Sequence, residues 1–155
     1  MESSSKNELA EIASQLLAGN NTGALATVSV KHDGFPFASQ SPYAVIEQQA
    51  AQSPQLGLPI FLFSDLSVHG KNLRSNPKAT LLIQAGGEMQ QGRVSLMGTV
   101  ERLNEAQIEE ARQSYLVSHP DAAQWISFGD FNFYAMSIVD CYVVAGFGKA
   151  GWVKQ

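Results

Sequence analysis

The sequence predicts an α+β domain in which about six antiparallel strands close into a barrel carrying helices on its periphery. Three observations lead there. Apolar stretches with strand-like alternation follow one another through short turns, an Asp-Gly pair stands between the first two, and only two or three amphipathic segments interrupt the series. A wound βαβ sheet would need more helical crossovers than this chain offers.

One domain, residues 1–155, accommodates the chain, because a domain of this length buries about 68–70% of its unfolded surface and so supports a single core. With 45% apolar and 15% charged residues the composition is globular, which sets aside disordered and disulfide-stapled classes. A formal charge of −4 without a Lys/Arg block leaves no electrostatic footprint for nucleic acid, and no such partner is expected. Cys141 is the only cysteine, so intramolecular disulfides and cysteine-rich zinc sites are excluded and a reducing, cytoplasmic setting is expected. The longest apolar run, Leu56 to Phe63, falls well short of the roughly 20 residues of a membrane helix. MESSSKNELAEI is polar and acidic where a signal peptide would be basic and then apolar, so neither a leader nor a membrane partner is expected.

The first element is a helix over about residues 6–18, started by a capping box of Ser5 and Glu8 and stopped by a left-handed Gly19-Asn20. Leu9, Ile12, Ala13, Leu16 and Leu17 give it a face to bury. Thr22–Val30 and Phe35–Ile46 read as strands joined by His32-Asp33-Gly34, a strong hairpin signal. The polar segment from Glu47 to Gly57 is a loop, Pro59–Ser64 a strand, and DLSVHGKNLRSN a helix that stops at Asn76-Pro77. Ala79–Ala85 and Arg93–Leu103 form a second hairpin around GGEMQQG. Asn104 opens a helix through Ser118 with an Asn-x-x-Gln cap, burying Ile108, Ala111, Tyr115 and Leu116. A short helical turn over Pro120–Ile126 precedes strands Phe131–Val139 and Tyr142–Phe147 and the tail GFGKAGWVKQ.

The segment from Pro59 to Asn72, PIFLFSDLSVHGKN, runs from a solid apolar block into Ser, His, Lys and Asn. A strand end opening into a loop or short helix can hold an anion, because backbone N–H groups and cationic side chains converge there. Ser64, His69, Lys71 and Asn72 are therefore candidate phosphate ligands. Three or four charge-assisted bonds at roughly 1.5–3 kcal/mol each would supply most of the roughly 8 kcal/mol of a micromolar ligand. The same residues also fit a structural role, with Lys71 solvated, Asn72 capping a turn and His69 half-buried. Arg93 would complete a phosphate site only if the barrel brings its strand beside Ser64, and is otherwise a surface cation.

Ser39, Gln40 and Ser41 suit either a thin slot for a flat aromatic ring or a solvent-facing strand side. Trp152 could stack on such a ring or simply pack. Gly146 and Gly148 do not form a dinucleotide loop. His32, His69 and His119 show no i,i+4 metal pair, so no metal site is expected, and no nucleophile elbow, Walker loop or H-E-x-x-H is present. Cys141 reads as a small core residue. Any chemistry would belong to a cofactor.

A series of blocks runs through the chain in order: GALATVS, G-x-P-x-A-S at Gly34 to Ser39, S-x-L-x-x-H-x-x-N-L at Ser64 to Leu73, and NPKATLLI. RVSLMGTVERL, SYLVSHPDA, FGDFNFY and AGFGKAGW follow. In this order they resemble the pyridoxamine 5'-phosphate oxidase-related FMN-binding split barrels, in the branch that includes haem-utilisation proteins. The resemblance implies a homodimeric split barrel with one FMN at each subunit junction, its phosphate held by Ser64, His69, Lys71, Asn72 and Arg93. Ser39 to Ser41 would border the flavin and Trp152 would lie near its ring. An FMN-dependent oxidoreductase of unidentified substrate follows, with no residue assigned as catalytic. A phosphate beside His69 would raise its pKa.

Two departures limit the transfer. GFGKAGWVKQ does not match the Trp-, Arg- and His-rich stretch with which true pyridoxamine-phosphate oxidases bind the vitamin, so that activity is not expected. Haem-degrading members carry a further C-terminal region with a haem-ligating histidine, whereas this sequence runs to Gln155, so ligation from that region is not expected. Haem binding or degradation is the alternative, with His32 or His119 as unrelated ligands, and a non-enzymatic interaction module on the same barrel is the third.

Overall fold

In the computed structural model, which describes residues 2–48, 56–86, 92–146 and 148–154, the strands form one curled antiparallel sheet. Helix α1 (Glu2–Ala18) leads into β1 (Thr22–Val28), β2 (Pro36–Pro42), β3 (Ala44–Ile46) and β4 (Leu58–Ser64). Helix α2 (Val68–Ser75) separates these from β5 (Lys78–Gln84) and β6 (Arg93–Arg102). Helix α3 (Glu105–Ser118) and a 3-10 turn (Pro120–Gln124) precede β7 (Phe131–Val144) and β8 (Ala150–Lys154). The sheet order is β2-β1-β5-β6-β7-β4-β3, with β8 added to β7.

Strand β7 organises this sheet. One edge pairs with β6 over Tyr134–Val144; the other takes β4 over Phe131–Ala135 and then β8 over Asp140–Val144, so the sheet forks. β2 comes against β4, and the sheet thereby curls nearly into a barrel. Its concave side is filled by Leu25, Phe61, Leu81, Ile83, Leu96 and Met136 and closed by Ala13, Leu16 and Leu17 of α1. A second apolar cluster lies behind β4, where Ala111 and Tyr115 of α3 meet Ile60, Leu62 and Phe133. Both faces of β4 are therefore covered, which is why IFLF is continuously apolar rather than alternating.

The β1–β2 hairpin forms where Asp33-Gly34 predicts it, with both residues at positive φ (46° and 76°). Several expectations are corrected. The sheet has eight strands rather than about six. Phe35–Ile46 breaks at Tyr43, whose ring turns inward and whose hydroxyl donates to the Leu17 carbonyl at 2.8 Å. Phe131–Val139 and Tyr142–Phe147 are a single strand up to Val144; the apparent interruption is a β-bulge opposite Met97/Gly98, which turns both Val139 and Asp140 outward. Glycine is required at 98, since a Cβ there would lie 2.1 Å from the Ser137 carbonyl oxygen.

The tail contributes β8, five residues stabilised by pairing with β7 rather than by their own propensity. α1 starts at Glu2, so Ser5 lies inside the helix and is not its cap. Gly19 does not take a positive φ; the Asn20 side chain instead donates to the Leu16 carbonyl at 2.8 Å. Asn104 is the N-cap of α3 without a side-chain hydrogen bond. Residues 49–55 of the expected loop, 87–91 of the GGEMQQG turn, and Phe147 lie outside the described residues.

Leu96→Ala, at a fully buried side chain, is expected to cost about 2–5 kcal/mol in urea unfolding, and Val117→Ala, on the exposed face of α3, less than about 0.5 kcal/mol. Equal costs would contradict this placement of the core.

Candidate functional site

The strand β4 ends at Ser64, and the chain turns at once into α2. Ser67 is the cap: its Oγ accepts from the Gly70 N–H at 3.0 Å and donates to the Ser64 carbonyl at 2.7 Å. Gly70 fits because a Cβ would lie 2.6 Å from that carbonyl oxygen. Two of the side chains expected to clamp a phosphate, Ser64 and Asn72, hydrogen-bond within the chain around this turn. Ser64 Oγ donates to Asp130 Oδ2 at 2.5 Å. Asn72 is buried, accepts from the Val30 N–H at 3.0 Å through Oδ1 and donates from Nδ2 to Thr27 Oγ1 at 3.0 Å, so it ties α2 to β1. The His69 ring stands edge-on to Phe63 with centroids 4.5 Å apart, and burial lowers its pKa rather than raising it. Lys71 alone of these is exposed.

Arg93 stands elsewhere. It pairs with Val144 at one end of β7, whereas Ser64 pairs with Phe131 at the other, so the two do not meet within one chain. Arg102, at the opposite end of β6, is the arginine brought to this turn, with Nη2 3.8 Å from Asp65 Oδ2. Ser39 and Ser41 point to the concave side of the sheet, where Ser39 Oγ is buried without a hydrogen-bond partner and Ser41 Oγ donates to the Pro42 carbonyl at 3.3 Å. Gln40 faces the convex side, as do Arg93 and the exposed Trp152, which meets Tyr142 edge-on at 5.1 Å. The nine expected residues thus fall into three groups: one at the β4–α2 turn, one inside the sheet and one on its outer face.

Asp65 is the hub that sequence reasoning missed. Its carboxylate accepts from the Tyr134 hydroxyl at 2.6 Å and from Asn132 Nδ2 at 2.8 Å, and its carbonyl accepts from Arg74 Nη2 at 3.0 Å. Burial and then the Asp65 hydrogen bond push the Tyr134 pKa up to about 12, so it stays a donor. The Asp130-x-Asn132-x-Tyr134 alternation is the one sequence signal that could have pointed here, since a period of two puts all three on one strand face.

The convex face of the sheet carries an open recess. A groove of about 440 Å³ crosses β1, β5, β6 and β7, lined by Ala26, Val28, Pro36, Met97 and Val139 with Lys78 at its margin. Val139 is 70% exposed, and Leu82 and Met97 are also open. Helix α3 covers only the β3–β4 part of the outer face, so this apolar area is left open in the single chain. A second recess of about 260 Å³ is lined by Ser29, His32, Phe35, Pro36 and Phe37 of the β1–β2 hairpin. His119 is occupied, with Nε2 2.8 Å from the Tyr43 carbonyl oxygen and its ring on Tyr115. Cys141 is buried, and burial pushes its thiol up to about 11, which removes it as a nucleophile near neutral pH. Among the described residues, no helix is long and apolar enough to cross a membrane.

A curled antiparallel sheet with three helices packed around it is the split-barrel fold. A putative pyridoxamine 5'-phosphate oxidase from Listeria innocua shares the fold, with a TM-score of 0.63 at 13% identity over 89% of this chain and 99% of that one. Within the class, residues 4–155 match the CREG β-barrel model, and the chain belongs to the CREG β-barrel family. It is 37% identical over 119 residues to the chloroplastic heme oxygenase HOZ of Arabidopsis thaliana, covering 76% of this chain and 34% of that protein. Human protein CREG1 is 28% identical over 157 residues, covering 92% and 70%. A heme binding protein from Mycobacterium smegmatis superposes with a TM-score of 0.78 at 27% identity, covering 97% of this chain and 57% of that one. The chain thus spans about a third of the Arabidopsis protein's length and little more than half of the mycobacterial one.

Two predictions separate structure from binding at the β4–α2 turn. Asn72→Ala, which strands the Val30 N–H and the Thr27 hydroxyl, is expected to cost about 1–3 kcal/mol in chemical denaturation without any ligand, while Lys71→Ala leaves the midpoint unchanged. Since burial lowers the His69 pKa in the fold, the unfolded chain takes up its proton first as pH falls below about 6.5. The stability of the wild type relative to His69→Phe should therefore decline as pH is lowered through that value, and a difference independent of pH between 7.5 and 5.5 would show the ring to be solvated.

Proposed function

We propose that this chain binds haem, or a closely similar tetrapyrrole, in the groove on the convex face of the sheet, and that a second copy of the chain covers the face to form a homodimer. The single observation that carries this is the groove itself: apolar along its floor, cationic at Lys78, and about 440 Å³, within the roughly 300–1,000 Å³ of small-molecule sites. A flat macrocycle with two carboxylates matches that pattern: Ala26, Val28 and Met97 would support it and Lys78 would pair with a carboxylate. Bound haem would supply a redox-active iron; the residues here would orient it and keep water from its faces. The likeness to proteins described as heme oxygenase and heme binding protein supports the choice.

FMN at the same face is the second reading, favoured by the common exposure of Gln40, Arg93 and Trp152 there, a cation and an indole suited to a phosphate and a flat ring. Of the residues expected to hold a phosphate, Ser64 and Asn72 already hydrogen-bond within the chain, and Arg93 lies at the far end of β7 from them.

Titration of the protein with ferric haem should give a saturable shift of the Soret band, and Met97→Glu, placing a charge on the groove floor, should weaken binding at least about tenfold, or about 1.4 kcal/mol. Equal affinity in the variant would remove the groove as the site. Retention of a flavin spectrum after desalting, with no response to haem, would favour the second reading.

A further inference from the structure

We propose that the recess where the last turn of α2 meets the end of β6 binds a small organic carboxylate, its carboxylate group held between Arg74 and Arg102 and its apolar body against Leu73, Pro77 and Val100. This site shares no lining residue with the groove on the convex face and stands independently of the haem reading.

Strand register builds the site. Arg102 of β6 lies directly opposite Tyr134 of β7. Alternation along β6 puts Arg102 on the concave side with the buried Val100 and turns Glu101, which also borders the recess, to the opposite face. Helix α2 crosses this end of the sheet, and its last turn brings Leu73 and Arg74 to the same place. The result is a recess of about 290 Å³, apolar at Leu73, Pro77 and Val100 and edged by Arg74, Arg102 and Tyr134. A dry cavity of about 150 Å³ already accommodates benzene, so an aromatic ring or a short branched chain fits here.

The two guanidinium groups are anchored here without being used up. Arg74 Nη2 donates to the Asp65 backbone carbonyl, not to its carboxylate, at 3.0 Å. Arg102 Nη2 stands 3.8 Å from Asp65 Oδ2, beyond hydrogen-bond distance, and its side chain is 56% exposed. The Asp65 carboxylate is already supplied by neutral donors, the Tyr134 hydroxyl and the Asn132 amide. The charges that act on the Tyr134 hydroxyl are those of Asp65, Arg102 and Arg74, one negative against two positive. A guanidinium carries five N–H donors in a planar fork that matches the two oxygens of a carboxylate, so both arginines keep donors for a ligand. An exposed ion pair alone contributes little in water. The apolar wall adds what the charges lack, since it takes the body of the ligand out of water while the carboxylate stays at the rim.

The experiment is a titration of the full chain with benzoate, followed by heteronuclear NMR in a buffer free of other carboxylates, with benzyl alcohol as the uncharged control. Saturable shifts are expected at Leu73, Val100 and Tyr134 with a Kd of about 1 mM or tighter, and none from benzyl alcohol. Arg102→Gln, at an exposed side chain, should raise the Kd about tenfold, and Arg102→Lys, which keeps the charge and loses the fork, should raise it less. Arg74→Gln combined with Arg102→Gln should abolish the shifts, with folding of each variant checked by circular dichroism. A wild type without saturable shifts, an equal response to benzyl alcohol, or unchanged affinity in Arg102→Gln and in the double variant would overturn the proposal. Saturation by inorganic phosphate but not by benzoate would overturn the assignment to a carboxylate.

Discussion

The fourteen-residue strand β7 is the constraint on which the other features depend, because it must satisfy backbone groups along two full edges. β6 follows it from Tyr134 to Val144, with a bulge opposite Met97/Gly98 that bends the strand and increases its local twist. No second strand is long enough for the other edge, so β4 takes the first half and β8 the second. The fork leaves the sheet curled around one core, with α1 closing one side and α3 placed behind β4.

That arrangement divides the outer surface unequally. Behind β4 the convex face is dry and packed by α3; across β1, β5, β6 and β7 it is apolar yet uncovered. An uncovered apolar sheet face of this kind is the surface that the proposed ligand and second copy would cover. The bulge shapes that face, since it turns Val139 outward beside Met97, where both line the groove. The β4–α2 turn, by contrast, is a structural joint: Asn72 pins the helix to β1, and Asp65 and Asp130 tie β4 to β7 and α2 through side-chain hydrogen bonds.

Much of the fold was legible in the sequence. Asp33-Gly34 announced the first hairpin, the apolar block Ile60–Phe63 announced a strand covered on both faces, and Asn76-Pro77 marked the end of α2 where it occurs. The strand count was not legible, because a bulge looks like a break in alternation and because β8 exists only through its pairing with β7. The ordered blocks identified the split-barrel class, yet a block such as Ser64 to Leu73 cannot tell a ligand-binding side chain from one that caps a turn. Donor-rich residues next to a strand end are needed for both. The open groove was illegible for a different reason: Ala26, Lys78, Met97 and Val139 are ordinary outward residues on four strands, and only the register brings them together.

The most direct test of the account is paramagnetic relaxation in the NMR spectrum of the full chain, comparing complexes with ferric haem and with diamagnetic zinc protoporphyrin. The account predicts selective broadening of amides in the 28–36 hairpin and in the segments around Thr80, Met97 and Val139, with α3 unaffected. Broadening centred instead on Ser64 to Asn72 would contradict it and return the binding site to the β4–α2 turn.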